Sequence, residues 1–529
     1  MTSHEWRRGN RYGNHIAPKY NAITYTWGRW RLQEDEQPSV RAIDIKGTPW
    51  KIPRVDPQRF TARELETVIR KAAEGFSTLS NFREKVLPSV QFVWLDVACI
   101  DQRPNSADSA AEIGRQALIF DGAAKVVAWL NTLSSRDLNA TLLDLDTVVD
   151  QIAQHAQSRN SSNGSQYRTL FRKFHDKLSF LLADPWFSSL WTLQEAYLRY
   201  DALLMSREGI IARDPQGRAQ PASGVPLHAE LFTITGFSEQ VASEVVERSN
   251  PPADLYDTVS RLLTKSGLQA LSQCNALGVY TAAGHRQFSQ QQDSIYGIQQ
   301  IFGARVGRSA AHSDPAKTWT LQDLQMQLGL HLLKKHPVLS QLHVFTAPAP
   351  IGSAWLVSST SSMIPPNQRL ASDLATSAAK GHDELAPAEE PQCTFTLNRM
   401  EGIVWARFDG LICPFSEFLA ATEAFSQHEL VEPRLDGASL ITISMDVTPE
   451  WSSCPEYLPT EYALVPQGSR QKRLASWLAK GFPAGALNIL LLGHRNQQGS
   501  SGVSIASNKA PELMIIIAAL DFVHGTQGC

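Results

Sequence analysis

The chain lacks any disulfide or metal framework. Its six cysteines, Cys99, Cys274, Cys393, Cys413, Cys454 and Cys529, are scattered, with no CxxC pair and no ligand spacing to histidine. That pattern predicts free thiols in a reducing compartment and no bound metal. A surplus of one charge is also missing: 49 Lys and Arg stand against 52 Asp and Glu, a formal net charge of −3, which offers no basic face to nucleic acid. No apolar run is long enough to span a bilayer, and the most apolar stretch, Leu513 to Leu520, is strand-sized. The opening residues, MTSHEWRRGNRYGNH, contain no apolar segment of the signal-peptide kind. These absences predict a cytoplasmic protein with no membrane span, no metal and no nucleic-acid partner.

What is present is ordinary globular material, 43% hydrophobic and 19% charged, in a chain of 529 residues that is too long for one core. In the first 200 residues short strand-like runs alternate with helical patterns. The runs are AITYTW (22–27), FVWLDV (92–97), KVVAWL (125–130) and ALLMS (202–206). Helices are expected over TARELETVIRKAAEGF, which opens with the capping box Thr61 and Glu64, and at about 109–121, 167–182 and 185–199. Such alternation predicts an α/β domain with a parallel sheet joined by right-handed crossovers, spanning residues 1–206. The segment 40–54 reads as a hairpin turning at Lys46 to Thr48. Residues 207–357 read as α-rich, 358–392 as a Ser, Ala, Pro and Glu-rich flexible linker, and 393–529 as a β-rich C-terminal domain with one helical stretch near SRQKRLASWLAKGF.

In an open parallel sheet, ligands bind beyond the carboxyl ends of the strands. The first strand ends in Thr26, Trp27 and Gly28, and the second runs into DVACIDQ, from Asp96 to Gln102. Trp27 reads either as packing for a neighbouring loop or as the wall of a ligand site, and Gly28 as the residue that permits the turn. Asp96 reads either as a turn cap or as a site acid. Cys99, between Ala98 and Ile100, reads as a small buried residue on the same rim; no nearby histidine equips it as a nucleophile.

The stretch WFSSLWTLQEA (186–196) adds a second group. Asp184 and Pro185 have the character of an N-cap and a first helical residue. From there, at roughly 100° per residue, Trp186, Leu190, Leu193 and Tyr197 form one apolar stripe, while Ser188, Trp191, Thr192 and Glu195 fall nearly opposite. One reading packs Trp191 beneath the α-rich domain and pairs Glu195 with an arginine. The other sets Glu195 beside an aromatic wall at the mouth of a cleft. An aromatic wall stacks a planar ring, and a carboxylate stabilises positive charge or grips sugar hydroxyls. Nicotinamide dinucleotides need both. Their glycosidic bond already carries a pyridinium, so the leaving group departs neutral without a general acid, and one carboxylate suffices to stabilise the oxocarbenium-like ribose.

Taken together the motifs resemble the heterokaryon incompatibility (HET) domain of filamentous fungi. The blocks that carry the resemblance are YNAITYTWG (20–28), FVWLDVACIDQ (92–102) continuing through AAKVVAWLN (123–131), and DPWFSSLWTLQEA (184–196). A later DSIYGIQQIFG (293–303) is similar to a segment that often follows such domains. The chain departs from the family pattern at Ser189, where arginine is common, at Asp101 for asparagine, at Phe120 for tyrosine and at Asn131 for glycine. The resemblance implies a role in non-self recognition and regulated cell death. It further implies a distant similarity to TIR domains, with their flavodoxin-like sheet, some of which cleave NAD through a glutamate. By that similarity the catalytic role falls on Glu195, and Trp27, Gly28, Asp96, Cys99, Gln102, Ser188 and Trp191 border the substrate. NAD would then be a substrate and no cofactor is implied. Two other readings stand beside it. One is a non-enzymatic signalling module that self-associates and senses a protein partner through its C-terminal domain; the other is a diverged enzyme acting on a different small molecule.

Overall fold

In the computed structural model, residues 1–212 are described apart from 4–5, 8–10, 34, 81–82, 104–105, 158–163 and 200; most of 253–357 is also described. Further on, the described residues are chiefly 389–417, 441–446, 487–495 and 512–519. They form two compact units, one of Met1–Cys274 with Ala282–Trp319, the other of Asn275–Thr281 with Thr320–Cys529.

The first unit opens with three two-residue strands, β1 (Trp6–Arg7), β2 (Arg11–Tyr12) and β3 (His15–Ile16), paired antiparallel in sequence order. The main sheet begins with β4 (Tyr20–Thr24). Helix α1 (Ala62–Ala73) follows a long irregular excursion, and then the antiparallel hairpin β5 (Phe76–Ser80) and β6 (Arg83–Leu87). Next come β7 (Phe92–Trp94), α2 (Asp96–Cys99), α3 (Ala107–Ile113), α4 (Gln116–Gly122) and β8 (Lys125–Trp129). The two long helices α5 (Ser135–Gln157) and α6 (Gly164–Leu182) pack on each other, and α7 (Leu190–Leu198) leads into β9 (Leu203–Met205).

The expected parallel sheet is present. Its order is β7-β4-β8-β9 with every pairing parallel, in a register that sets Asn21 beside Val93, Ile23 beside Val127 and Ala128 beside Leu204. All of β8 is buried, as a strand covered on both faces must be, so its sequence is a continuous apolar run after Lys125. Lys125 itself is buried but pairs with Asp201 at 3.0 Å. Helix α1 begins at the predicted capping box: the Thr61 side chain accepts from Glu64 N, and Glu64 returns the bond to Thr61 N at 2.7 Å. Leu65, Val68, Ile69 and Ala72 form its buried stripe. The sheet side of that core is aromatic, with Phe60 against Trp129 at a ring separation of 4.9 Å and Tyr25 against Trp129 at 6.0 Å.

Several expectations need correction. Residues 40–54 form no hairpin; the segment is irregular, with isolated bridges from Lys46 to Thr2 and from Val55 to Arg31. Pro49 and Pro53 remove amide donors that a ladder requires, while Ile43 and Ile52 are drawn into the α1 core instead. The second strand stops at Trp94, and Asp96 already belongs to the helical turn α2. The helix expected at 185–199 is two pieces, a 3-10 turn at Pro185–Ser188 and then α7.

Beyond the sheet the first unit continues in helices, Ala253–Ser266, Leu268–Ser272 and Asp293–Tyr296. The second unit contains the helix Leu321–Lys335, closed at its start by Thr320 and Asp323, and small sheets. Thr394–Met400 and Ile403–Asp409 form an antiparallel hairpin. Leu487–Arg495 pairs antiparallel with Glu512–Ala519, which runs parallel to Ile441–Asp446. The expected linker at 358–392 falls largely outside the described residues, and the helix near SRQKRLASWLAKGF entirely so. Among the described residues, no helix is long and apolar enough to cross a membrane.

Candidate functional site

The carboxyl ends of β4 and β7 do converge. Trp27 follows β4 at the entry to a 3-10 turn, Gly28–Trp30, and its indole Nε1 donates to Asp96 Oδ2. Asp96 opens the turn α2, its side chain accepting from Val97 N at 2.7 Å. Burial raises the Asp96 carboxyl, and the hydrogen bond from the Trp27 indole pulls it back. Glu195, in the middle of α7, sits close to this group. Its side chain accepts from the Thr24 hydroxyl, and both burial and the Asp96 charge push its carboxyl up to about 8. The Tyr25 hydroxyl feels both acids, and burial raises it well above the usual phenol value. Thr24 Oγ1 also accepts from Trp186 Nε1 at 2.9 Å, which ties the 3-10 turn before α7 to β4.

Glu195 is therefore brought to Asp96 and Trp27, but it is not at a cleft mouth. It is 7% exposed, against the expectation of an open carboxylate. The reason lies in α7: Leu190 and every residue from Thr192 to Tyr197 are buried, so the Thr192–Glu195 face contacts protein instead of solvent. Nor does Glu195 pair with an arginine; no ion pair to it occurs among the described residues. Trp191 and Leu198 are the half-buried residues of that helix.

A narrow cleft lies nearby, lined by Tyr25, Trp27, Ile43, Ile52, Phe60 and Val97 among others. Trp27 thus faces this cleft while bonding Asp96, and neither acid lines it. Gly28 is exposed, and a side chain there would meet open space, so no steric demand selects glycine at this position. Gln102 turns its amide to Ile100 O at 2.8 Å and to Asp96 O at 3.4 Å, bracing the turn α2 and the segment that leaves it. Burial pushes the Cys99 thiol up to about 12, which leaves it without thiolate character at neutral pH. Ser188 stands apart from the acids: its hydroxyl meets Pro185 O and the Arg29 guanidinium, both at 3.2 Å.

Four partners were not singled out from sequence. Thr24 and Tyr25 lie within the first strand motif and would be found by asking what faces a strand end. Arg29 follows Gly28 directly. Arg286 reaches the turn before α7 from far along the chain and leaves no local signal. Asp184 was recognised as a cap, and is one: its Oδ1 accepts from Trp186 N at 2.9 Å, and its Oδ2 from Thr132 N at 2.9 Å and Thr132 Oγ1 at 2.6 Å.

A parallel α/β sheet with acids gathered beyond its strand ends defines the class. Within it, residues 20–195 match the family described as Heterokaryon incompatibility protein (HET). The match supports a protein of the heterokaryon-incompatibility, cell-death type. No curated protein and no solved structure matches the chain.

Proposed function

We propose that the chain is a cell-death effector whose HET domain is closed at rest and, once opened, cleaves the nicotinamide–ribose bond of NAD. The observation that supports it is the Asp96 and Glu195 pair gathered behind Trp27 at the ends of two parallel strands. At rest Glu195 holds a proton at neutral pH. Displacing Trp27 would admit water, lower the Glu195 carboxyl toward its ordinary range and give an anion. That anion would face the ribose C1′ as the C1′–N bond breaks. Nicotinamide leaves with the bonding electron pair as a neutral base, water adds to C1′, and a proton is released with ADP-ribose. The resemblance to TIR domains, drawn from the motifs, agrees with this chemistry.

The test is nicotinamide release from NAD by the full chain and by Glu195→Gln, under conditions that activate cell death. Release by the parent and a loss of at least a hundredfold in the variant is the expected result; equal rates in both reject the reaction. The burial of Glu195 also favours a second reading, a non-enzymatic module that acts by self-association and takes a protein partner through its C-terminal unit. Cell death that persists at full strength in Glu195→Gln would select that reading.

A further inference from the structure

Two guanidinium groups grip the turn that precedes α7, and neither has an acid to pair with among the described residues. Arg29, exposed, donates to Pro185 O at 2.9 Å, to Ser188 Oγ at 3.2 Å and to Gln287 Oε1. Arg286, 5% exposed, donates to Trp186 O and Ser189 O, both at 3.2 Å, and to Ser266 O. Every one of these acceptors is neutral. The Arg286 Nε is sealed from solvent and has no hydrogen-bond partner. Burial chiefly, and then the nearby Arg29 charge, lowers Arg286 to about 9. Asp184 lies within electrostatic reach of Arg29, but forms no ion pair with it, and its oxygens accept from Thr132 and Trp186.

Burying a cation without a counter-charge is costly, and carbonyl dipoles offset only part of that cost. One guanidinium would be satisfied as a staple between loops. Two that repel each other at one turn, the outer one in solvent beside the Ser188 hydroxyl, leave a concentrated positive field that an anion would offset. We propose that Arg29 and the Ser188 hydroxyl receive a phosphate group, with Arg286 supplying positive charge from beneath. A phosphate fits better than a carboxylate because two cations favour a dianion and the guanidinium fork matches its oxygens.

The place of this site suggests the kind of phosphate. Trp186 accepts from Arg286 through its carbonyl and donates from its ring to Thr24, the residue that bonds Glu195. One residue therefore links a cationic pole to the acid pair. A dinucleotide has the complementary ends, pyrophosphate and a cationic glycosidic bond. This last step rests on the NAD reading above; the anion site stands without it.

Calorimetric titration of the full chain with inorganic pyrophosphate at fixed ionic strength tests the proposal. Saturable binding that weakens at least tenfold in Arg29→Gln and is unchanged in Arg63→Gln, an exposed arginine of α1, is expected. No binding to the parent, or equal binding in Arg29→Gln, overturns it. Displacement of pyrophosphate by ADP-ribose assigns the site to a nucleotide, whereas failure to displace assigns it to free phosphate and detaches it from the NAD reading. If pyrophosphate binds as expected while no nicotinamide is released from NAD, the reaction falls and the anion site remains.

Discussion

Glu195 keeps its proton at neutral pH because burial takes it out of water beside a second acid, and the hydrogen bond from the Thr24 hydroxyl offsets only part of that. That has a consequence for stability. Unfolding returns the carboxyl to its ordinary value near 4.5, from about 8 in the folded chain. Between those values the unfolded state releases a proton that the folded state retains, so stability falls as pH rises from about 4.5 to about 8, by at most ~1.4 kcal/mol per pH unit. Glu195→Gln keeps the shape and removes the titration. The variant should match the parent near pH 5 and exceed it in melting temperature by a margin that grows up to pH 8; parallel pH profiles would mean that the carboxyl is solvated. At this scale the sequence made visible which residues meet. Trp27 and Asp96, placed on one rim by the strand-end rule, meet and bond each other, and Glu195 lies beside Asp96. Exposure was not visible, because α7 is covered by residues from distant parts of the chain: Gln287 O accepts from Leu190 N at 3.1 Å and Gln194 Oε1 from Gln300 N at 3.1 Å.

At the scale of elements, the 3-10 turn Pro185–Ser188 holds both poles of the site in place, and Asp184 holds the turn. Asp184→Ala would strand the Thr132 and Trp186 donors, at a cost of about 2 kcal/mol for a buried, charge-assisted cap of this kind. Because Pro185 O anchors Arg29, pyrophosphate affinity should fall with it. Chemical denaturation with an unchanged slope, read beside the titration, checks both. Elements with local punctuation were legible: the Thr61 and Glu64 box places the start of α1 to the residue. The 23-residue α5 was missed although its signals are local. Ser134 and Asp137 cap it reciprocally, at 2.7 Å and 3.1 Å, and Leu138, Leu142, Leu145, Val149 and Ile152 form a buried stripe at helical spacing. The hairpin misread at 40–54 failed for the opposite reason. Alternation suggested a strand pair, but the two prolines and the pull of a distant core decided the backbone.

At the scale of the whole molecule, the HET match ends at residue 195, yet the first unit does not. Gln287 exchanges backbone hydrogen bonds with Ser188 and Leu190, at 2.7 Å and 3.1 Å. A methyl group on Gly297 would come within 2.9 Å of the Leu190 side chain. Arg286 supplies donors to the same turn. A fragment of residues 1–206 would lose all of these and expose the apolar side of α7, so the carboxylate that burial now protonates would meet water. A fragment of residues 1–319 retains them. The shorter fragment should therefore melt at least 10 °C lower, or aggregate, while the longer one unfolds in a single cooperative transition followed by circular dichroism. In the full chain, Gly297→Ala should cost about 1–3 kcal/mol by forcing Leu190 aside. Equal melting of the two fragments, with a neutral Gly297→Ala, would mean that the HET segment folds alone and that the covering of Glu195 comes from within residues 20–195.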